Sequence, residues 1–108
     1  MDIQRKVIGE KMIIHLPERV DRDVSLEFEK EMYCILNSGT NYKTVIDAEN
    51  LEYISETGLR VLKKLRLEFG DLKMINIKPE VFKTMKEKGY TELYSWGIRW
   101  TDLKELQQ

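Results

Sequence analysis

The apolar residues of this 108-residue chain change period in a set order. Two strand-like segments come first, followed by helix, strand, helix, strand and helix. That order constrains the fold more than any other feature. Ile3 to Ile8 and Lys11 to Leu16 read as short strands joined at Gly9-Glu10, where glycine tolerates the positive φ of a hairpin turn. KMIIHL is continuously apolar from Met12 to Ile14, as in a strand covered on both faces, and Pro17 ends its ladder by removing a donor. From Asp21 to about Leu36 the period becomes helical, with Val24, Phe28, Met32, Ile35 and Leu36 on one stripe. Asp21 or Asp23 can cap that helix, and Ser38-Gly39 closes it.

KTVIDA, Lys43 to Ala48, reads as a central strand. The next helix runs from Glu56 to Phe69, with Leu59, Leu62, Leu65 and Phe69 inward and Gly70 at its end. LKMINI, Leu72 to Ile77, is another strand. Pro79 then opens a helix that turns Val81, Phe82 and Met85 inward and stops at Gly89. Glu92 to Trp96 is expected to add a short edge strand, and Thr101 to Leu106 a last helix. This alternation predicts an α/β sandwich in which helices pack on a mixed sheet, as one domain over residues 1–108.

Composition narrows the function classes. One cysteine (Cys34) and one histidine (His15) cannot form an internal disulfide or a zinc site, and no metal or other cofactor is expected. A reducing, cytoplasmic setting is the natural expectation. No apolar run reaches the roughly 20 residues that span a bilayer, so membrane insertion is not expected. Net charge is −1 but unevenly placed. Residues 1–59 carry seven Lys/Arg against twelve Asp/Glu, and residues 60–92 carry nine against five. The basic excess is interleaved along helices without aromatics to stack bases, which reads as solvated helix faces rather than a nucleic-acid surface.

Catalytic signatures are missing. The chain has no Gly-rich phosphate loop, no HExxH and no nucleophile elbow, so an enzyme is not expected. His15, inside an apolar strand, reads as a hydrogen-bonded structural residue, and Cys34 as a small packing residue. Trp96 and Trp100 read as cover for the sheet edge or an anchor for the final helix. One junction stands out, YISETGLRVLKKL from Tyr53 to Leu65, where a strand hands over to a helix through Ser55, Glu56, Thr57 and Gly58. A helix N-terminus has unpaired N–H groups and a partial positive charge. Ser55 fits the cap, Glu56 the first turn, and Thr57 exposes a hydroxyl there. Gly58 costs about 1 kcal/mol of helix propensity, which suggests that something approaches the backbone closely. A plain capped helix, an anion site and a covalently modified switch are all compatible with this stretch.

These residues resemble the STAS domain, the fold of bacterial anti-sigma factor antagonists. VIDAENLEYISETGLRVL is similar to the family's strand followed by "xYIDSSGLxxL". LPERVDRDVSLEFEKEM is similar to its "GxLDxxTAxxLExxL" segment, with Asp21 on the aspartate. LKMINIKPEVFKTMKEKGYTELY is similar to "LxLVNxxPEVxxxLExxGLxxLF". The resemblance implies a STAS-like sandwich with helices mainly on one face of a mixed sheet. It also implies a cytoplasmic regulatory module, monomeric or weakly dimeric, that binds an anti-sigma factor of the GHKL-type protein kinase class. That partner would phosphorylate Thr57 and thereby end the binding. Asp21, Ser55, Glu56, Gly58 and Leu59 fall on the partner-binding positions. The chain departs from the pattern at Ser55, where the family has Asp, at Glu56, where it has Ser, and in having Thr as the acceptor. Alternative roles are a non-catalytic STAS subunit of an ABC-type lipid transport complex, a non-phosphorylated scaffold, or a module reading a nucleotide at the same helix end.

Overall fold

The computed structural model describes residues 3–70 and 72–90. β1 (Gln4–Ile8) and β2 (Lys11–His15) form an antiparallel hairpin. Ile8 pairs with Lys11, and Gly9 takes φ 59°, the left-handed conformation the tight turn needs. β4 (Lys43–Asp47) runs parallel to β2, and β6 (Lys73–Ile75) runs parallel to β4. The main sheet is therefore mixed, in the order β1-β2-β4-β6, and the KTVIDA strand is interior to it. Two two-residue strands, β3 (Arg19–Val20) and β5 (Tyr53–Ile54), pair in parallel as a separate small sheet.

The α-helices among the described residues are α1 (Ser25–Ser38), α2 (Glu56–Phe69) and α3 (Pro79–Glu87). Side chains alternate across a strand, so one face of the main sheet turns Met12, Ile14, Ile46 and Met74 into the core. There they join Phe28 and Met32 of α1, Leu59, Leu62 and Leu65 of α2, and Val81 and Met85 of α3 in one continuous cluster. Phe69 and Phe82 pack against that cluster while staying partly exposed.

Several sequence expectations are adjusted by the structure. The helix expected from Asp21 begins instead as a 3-10 turn at Arg22–Val24, and the α-helix starts at Ser25. Ile13 is only half-buried, because it lies on the face of β2 opposite the one that the described helices cover. β6 stops at Ile75, since Asn76 adopts φ 58° and leaves the extended region. Cys34, expected to pack, is exposed on α1. The strand expected at residues 92–96, the helix at 101–106, and Trp96 and Trp100 lie outside the described residues.

Candidate functional site

The candidate site is built where the small sheet delivers the chain to α2. Ser55 has extended backbone angles (φ −74°, ψ 165°), and its Oγ accepts a hydrogen bond of 3.1 Å from the Gly58 N–H. That satisfies one of the donors a helix start leaves unpaired. Glu56 lies in the first turn and pairs with Arg60 at 3.7 Å. Thr57, next along, is exposed.

Asp21 arrives beside this junction through the pairing of β3 with β5. Val20 is in register with Ile54, and the Ser55 N–H donates to the Val20 carbonyl at 2.8 Å. The Asp21 carboxylate is occupied as the cap of the 3-10 turn, accepting from Asp23 N–H (3.0 Å) and Val24 N–H (3.2 Å). Asp21 therefore lies beside the junction, and its carboxylate is engaged in holding local structure. Ser55, Glu56 and Thr57 come together at the surface.

Gly58 and Leu59 do not reach that surface. Leu59 is fully buried and supports the helix from beneath. Gly58 is buried as well, and a Cβ built on it would lie 2.7 Å from Ile54 Cγ1 and 2.9 Å from Val20 Cγ1. The close approach inferred from this glycine is real, but the approaching body is the protein's own β3 and β5. Both opposing atoms belong to β-branched side chains with little freedom to yield. The glycine lets α2 settle onto the small sheet.

The electrostatics also differ from a simple count of neighbouring acids. Glu52 lies 3.4 Å from Lys78, and Glu56 is paired with Arg60, so both of these carboxylates near Thr57 in sequence have a cation beside them. Arg19 stacks over the Tyr53 ring at 4.7 Å, adding an exposed cation–aromatic pair on the outer side of the small sheet. The surface around Thr57 is mixed in charge.

Below the loop that leads to the junction lies a cluster that sequence reasoning missed. Asp47 ends β4 and is buried, yet three groups converge on its carboxylate. Oδ1 accepts from Glu49 N–H (2.9 Å) and Asn76 Nδ2 (3.1 Å), and Oδ2 lies 3.3 Å from His15 Nδ1. Asp47 thereby ties the ends of β2, β4 and β6 to the first turn of the loop preceding β5. A signal existed, in that an acid and a histidine each close an otherwise apolar strand. Only the β2–β4 register, which aligns His15 with Asp47, makes them partners. Among the described residues no group of acidic, cysteine or histidine side chains is arranged to hold a metal ion. No described helix is long and apolar enough to cross a membrane.

The profile of the STAS domain matches residues 2–101, nearly the whole chain. The chain belongs to the STAS domain family. No curated protein matches it by sequence. Among solved structures, the STAS fold aligns with the anti-sigma factor antagonist SpoIIAA in its unphosphorylated form. The TM-score is 0.66 at 15% identity, over 91% of this chain and 86% of that one. Bacillus SpoIIAA in its phosphorylated form aligns with a TM-score of 0.63 at 15% identity, over 98% of this chain and 97% of that one. A serine-to-glutamate variant of RsbS from Moorella thermoacetica gives 0.68 at 24% identity, over 99% and 96% of the two chains. The murine anion transporter Slc26a9 gives 0.71 at 14% identity, in an alignment that covers 94% of this chain but only 18% of the transporter. At these identities the likeness is one of fold.

Proposed function

We propose that this STAS domain is a cytoplasmic regulatory module of the anti-sigma factor antagonist type. It binds an anti-sigma factor of the GHKL-type kinase class through the surface around the start of α2, and phosphorylation of Thr57 ends that binding. The observation that carries the reading is the contrast at the junction. Thr57 offers an exposed hydroxyl immediately before Gly58 and Leu59, which are buried against the core. A kinase can reach this hydroxyl without unfolding the helix, and a partner can read its state. The likeness to SpoIIAA, solved in unphosphorylated and phosphorylated forms, supports the same reading.

The energetics are consistent with a switch. A phosphoryl group would add about −1.5 to −2 charges. The helix N-terminus tolerates that charge, so the domain stays folded. Since Glu52 and Glu56 already have cations beside them, the phosphate itself would turn a mixed surface negative. A partner face shaped for a neutral hydroxyl would have to desolvate an unpaired anion, with an expected loss of about a hundredfold in affinity. Ser55, Glu56 and the Asp21 turn frame the contact, while Gly58 and Leu59 hold it from inside.

The test is incubation with a GHKL-type anti-sigma factor and ATP, followed by mapping of the modified residue by mass spectrometry and titration of the complex. Phosphate on Thr57, constitutive binding by Thr57→Ala and weak binding by a folded Thr57→Glu are expected. Phosphate on Ser55 would move the acceptor. No phosphate, together with normal binding by Thr57→Glu, would leave a non-switching scaffold. That second reading has its own observation, the alignment with the Slc26a9 transporter, in which the STAS fold is a small part of a larger chain.

A further inference from the structure

The described helices cover one side of the main sheet, and its other face has an unusual composition. The ladder registers align Lys11 with Lys43, Ile13 with Val45, and Val45 with Lys73 across β2, β4 and β6. β1 adds Lys6 opposite Ile13, and Ile8 opposite Lys11. A cavity of about 320 Å³ lies over this face, lined among the described residues chiefly by Lys11, Ile13, Lys43, Val45, Lys73 and Ile75. Ile13, Val45 and Ile75 are half-buried, and they form an apolar floor on three adjacent strands, about 10 Å across at two interstrand spacings.

The charges around that floor have no counterpart among the described residues. Among the described residues no carboxylate lines the cavity, and Lys11, Lys43 and Lys73 form no ion pair. Two lysines elsewhere are paired, Lys64 with Glu29 and Lys78 with Glu52. Asp47 shares this face of β4, but its carboxylate already serves His15, Glu49 and Asn76. Like charges placed directly opposite on neighbouring strands destabilise a sheet, so the Lys11–Lys43 alignment carries a cost that a bound anion would relieve. A concave site of about 300 Å³ or more, with an apolar floor and a few convergent polar groups, has the features of a small-molecule pocket.

We propose that this sheet face binds a single-chain anionic amphiphile, with an alkyl tail on Ile13, Val45 and Ile75 and a carboxylate or phosphate head met by Lys11, Lys43 and Lys73. The site shares no residue with the Thr57 junction and does not depend on the function proposed there.

The test is methyl NMR titration of the full chain with sodium octanoate, octyl phosphate, 1-octanol and inorganic phosphate, each kept below any micelle-forming concentration. Saturable shifts of the Ile13, Val45 and Ile75 methyls are expected with either anionic amphiphile, and the tighter of the two identifies the head group. Octanol and inorganic phosphate should each bind at least tenfold more weakly, because each lacks one half of the recognition. The Lys11→Glu/Lys43→Glu double variant should lose at least tenfold in affinity. Both lysines are exposed, so its fold should be intact, and an unchanged pattern of core methyl shifts checks that. Added salt should weaken binding. Absence of saturable shifts on these methyls, equal binding of octanol, or full affinity in the double variant would each overturn the proposal. So would contacts from these methyls to residues 91–108, or to a second copy, that persist at saturating octanoate.

Discussion

In the main sheet, β2 and β4 pair along their full lengths, Lys11 to His15 against Lys43 to Asp47, whereas β3 and β5 are two residues each. The long ladder needs little help, since each strand turns alternate apolar side chains into a shared core. A two-residue pair cannot hold itself together in water. Here it is held by Val20 and Ile54 lying under α2, by the backbone bond from Ser55 to Val20, and by Glu52 and Tyr53 N–H groups donating to the Glu18 carbonyl. The candidate site sits on the region whose stability is borrowed. That arrangement suits a switch, because a partner or a phosphate can alter the surface of the small sheet without disturbing the main one.

Substitutions around α2 can break or sharpen this contrast. Leu59→Ala, beneath the junction and fully buried, should have the largest effect, a loss of about 2 to 5 kcal/mol by urea denaturation. An unchanged midpoint would mean that α2 is not anchored as described.

Gly58→Ala should come next. A methyl group would meet Ile54 and Val20 at less than van der Waals distance, so overpacking of about 1 to 3 kcal/mol should outweigh the better helix propensity of alanine. The hydrophobic floor of the main sheet should be unaffected, with chemical-shift changes centred on β3 and β5. Equal or increased stability would instead show that the helix start is free to rise, and that the glycine is not a packing requirement.

Ser55→Ala removes the side-chain acceptor for the Gly58 N–H and should cost about 1 kcal/mol, read from the same denaturation curves. Amide exchange should accelerate in the first turn of α2 while the main-sheet amides keep their protection. Uniform acceleration would mean that the two sheets unfold together and that the contrast is only geometric.

Thr57→Glu should have the smallest effect on stability, within about 0.5 kcal/mol of the parent, because the residue is exposed and a negative charge suits a helix start. A large loss would show that Thr57 is part of the packing rather than a surface position.

Much of this organisation was legible in the chain itself. The alternation of periods marked out β1, β2, β4, β6 and all three helices among the described residues. Gly9 and Pro79 marked a turn and a helix start, and the Ser55–Thr57 stretch marked a capped helix with an exposed hydroxyl. These features are local, because a residue's helical stripe, cap or turn depends on neighbours within a few positions. β3 was not legible. Two residues following Pro17 and Glu18 carry no periodicity, and Arg19–Val20 becomes a strand only because Tyr53–Ile54 arrives alongside it.

The tertiary structure decided the features that depend on residues distant in sequence. It showed that Gly58 accommodates Val20 and Ile54, 38 and 4 residues away, rather than an outside partner. It brought His15 and Asn76 to Asp47, and Lys78 to Glu52. It put Lys11, Lys43 and Lys73 on one face of the main sheet, where Asp47 is already engaged by His15, Glu49 and Asn76. Composition and local pattern determined which elements form and which side of each is apolar, because those follow from short-range sterics and the burial of alternating side chains. Register and docking determined which side chains meet, because that choice is made by the packing of the whole core.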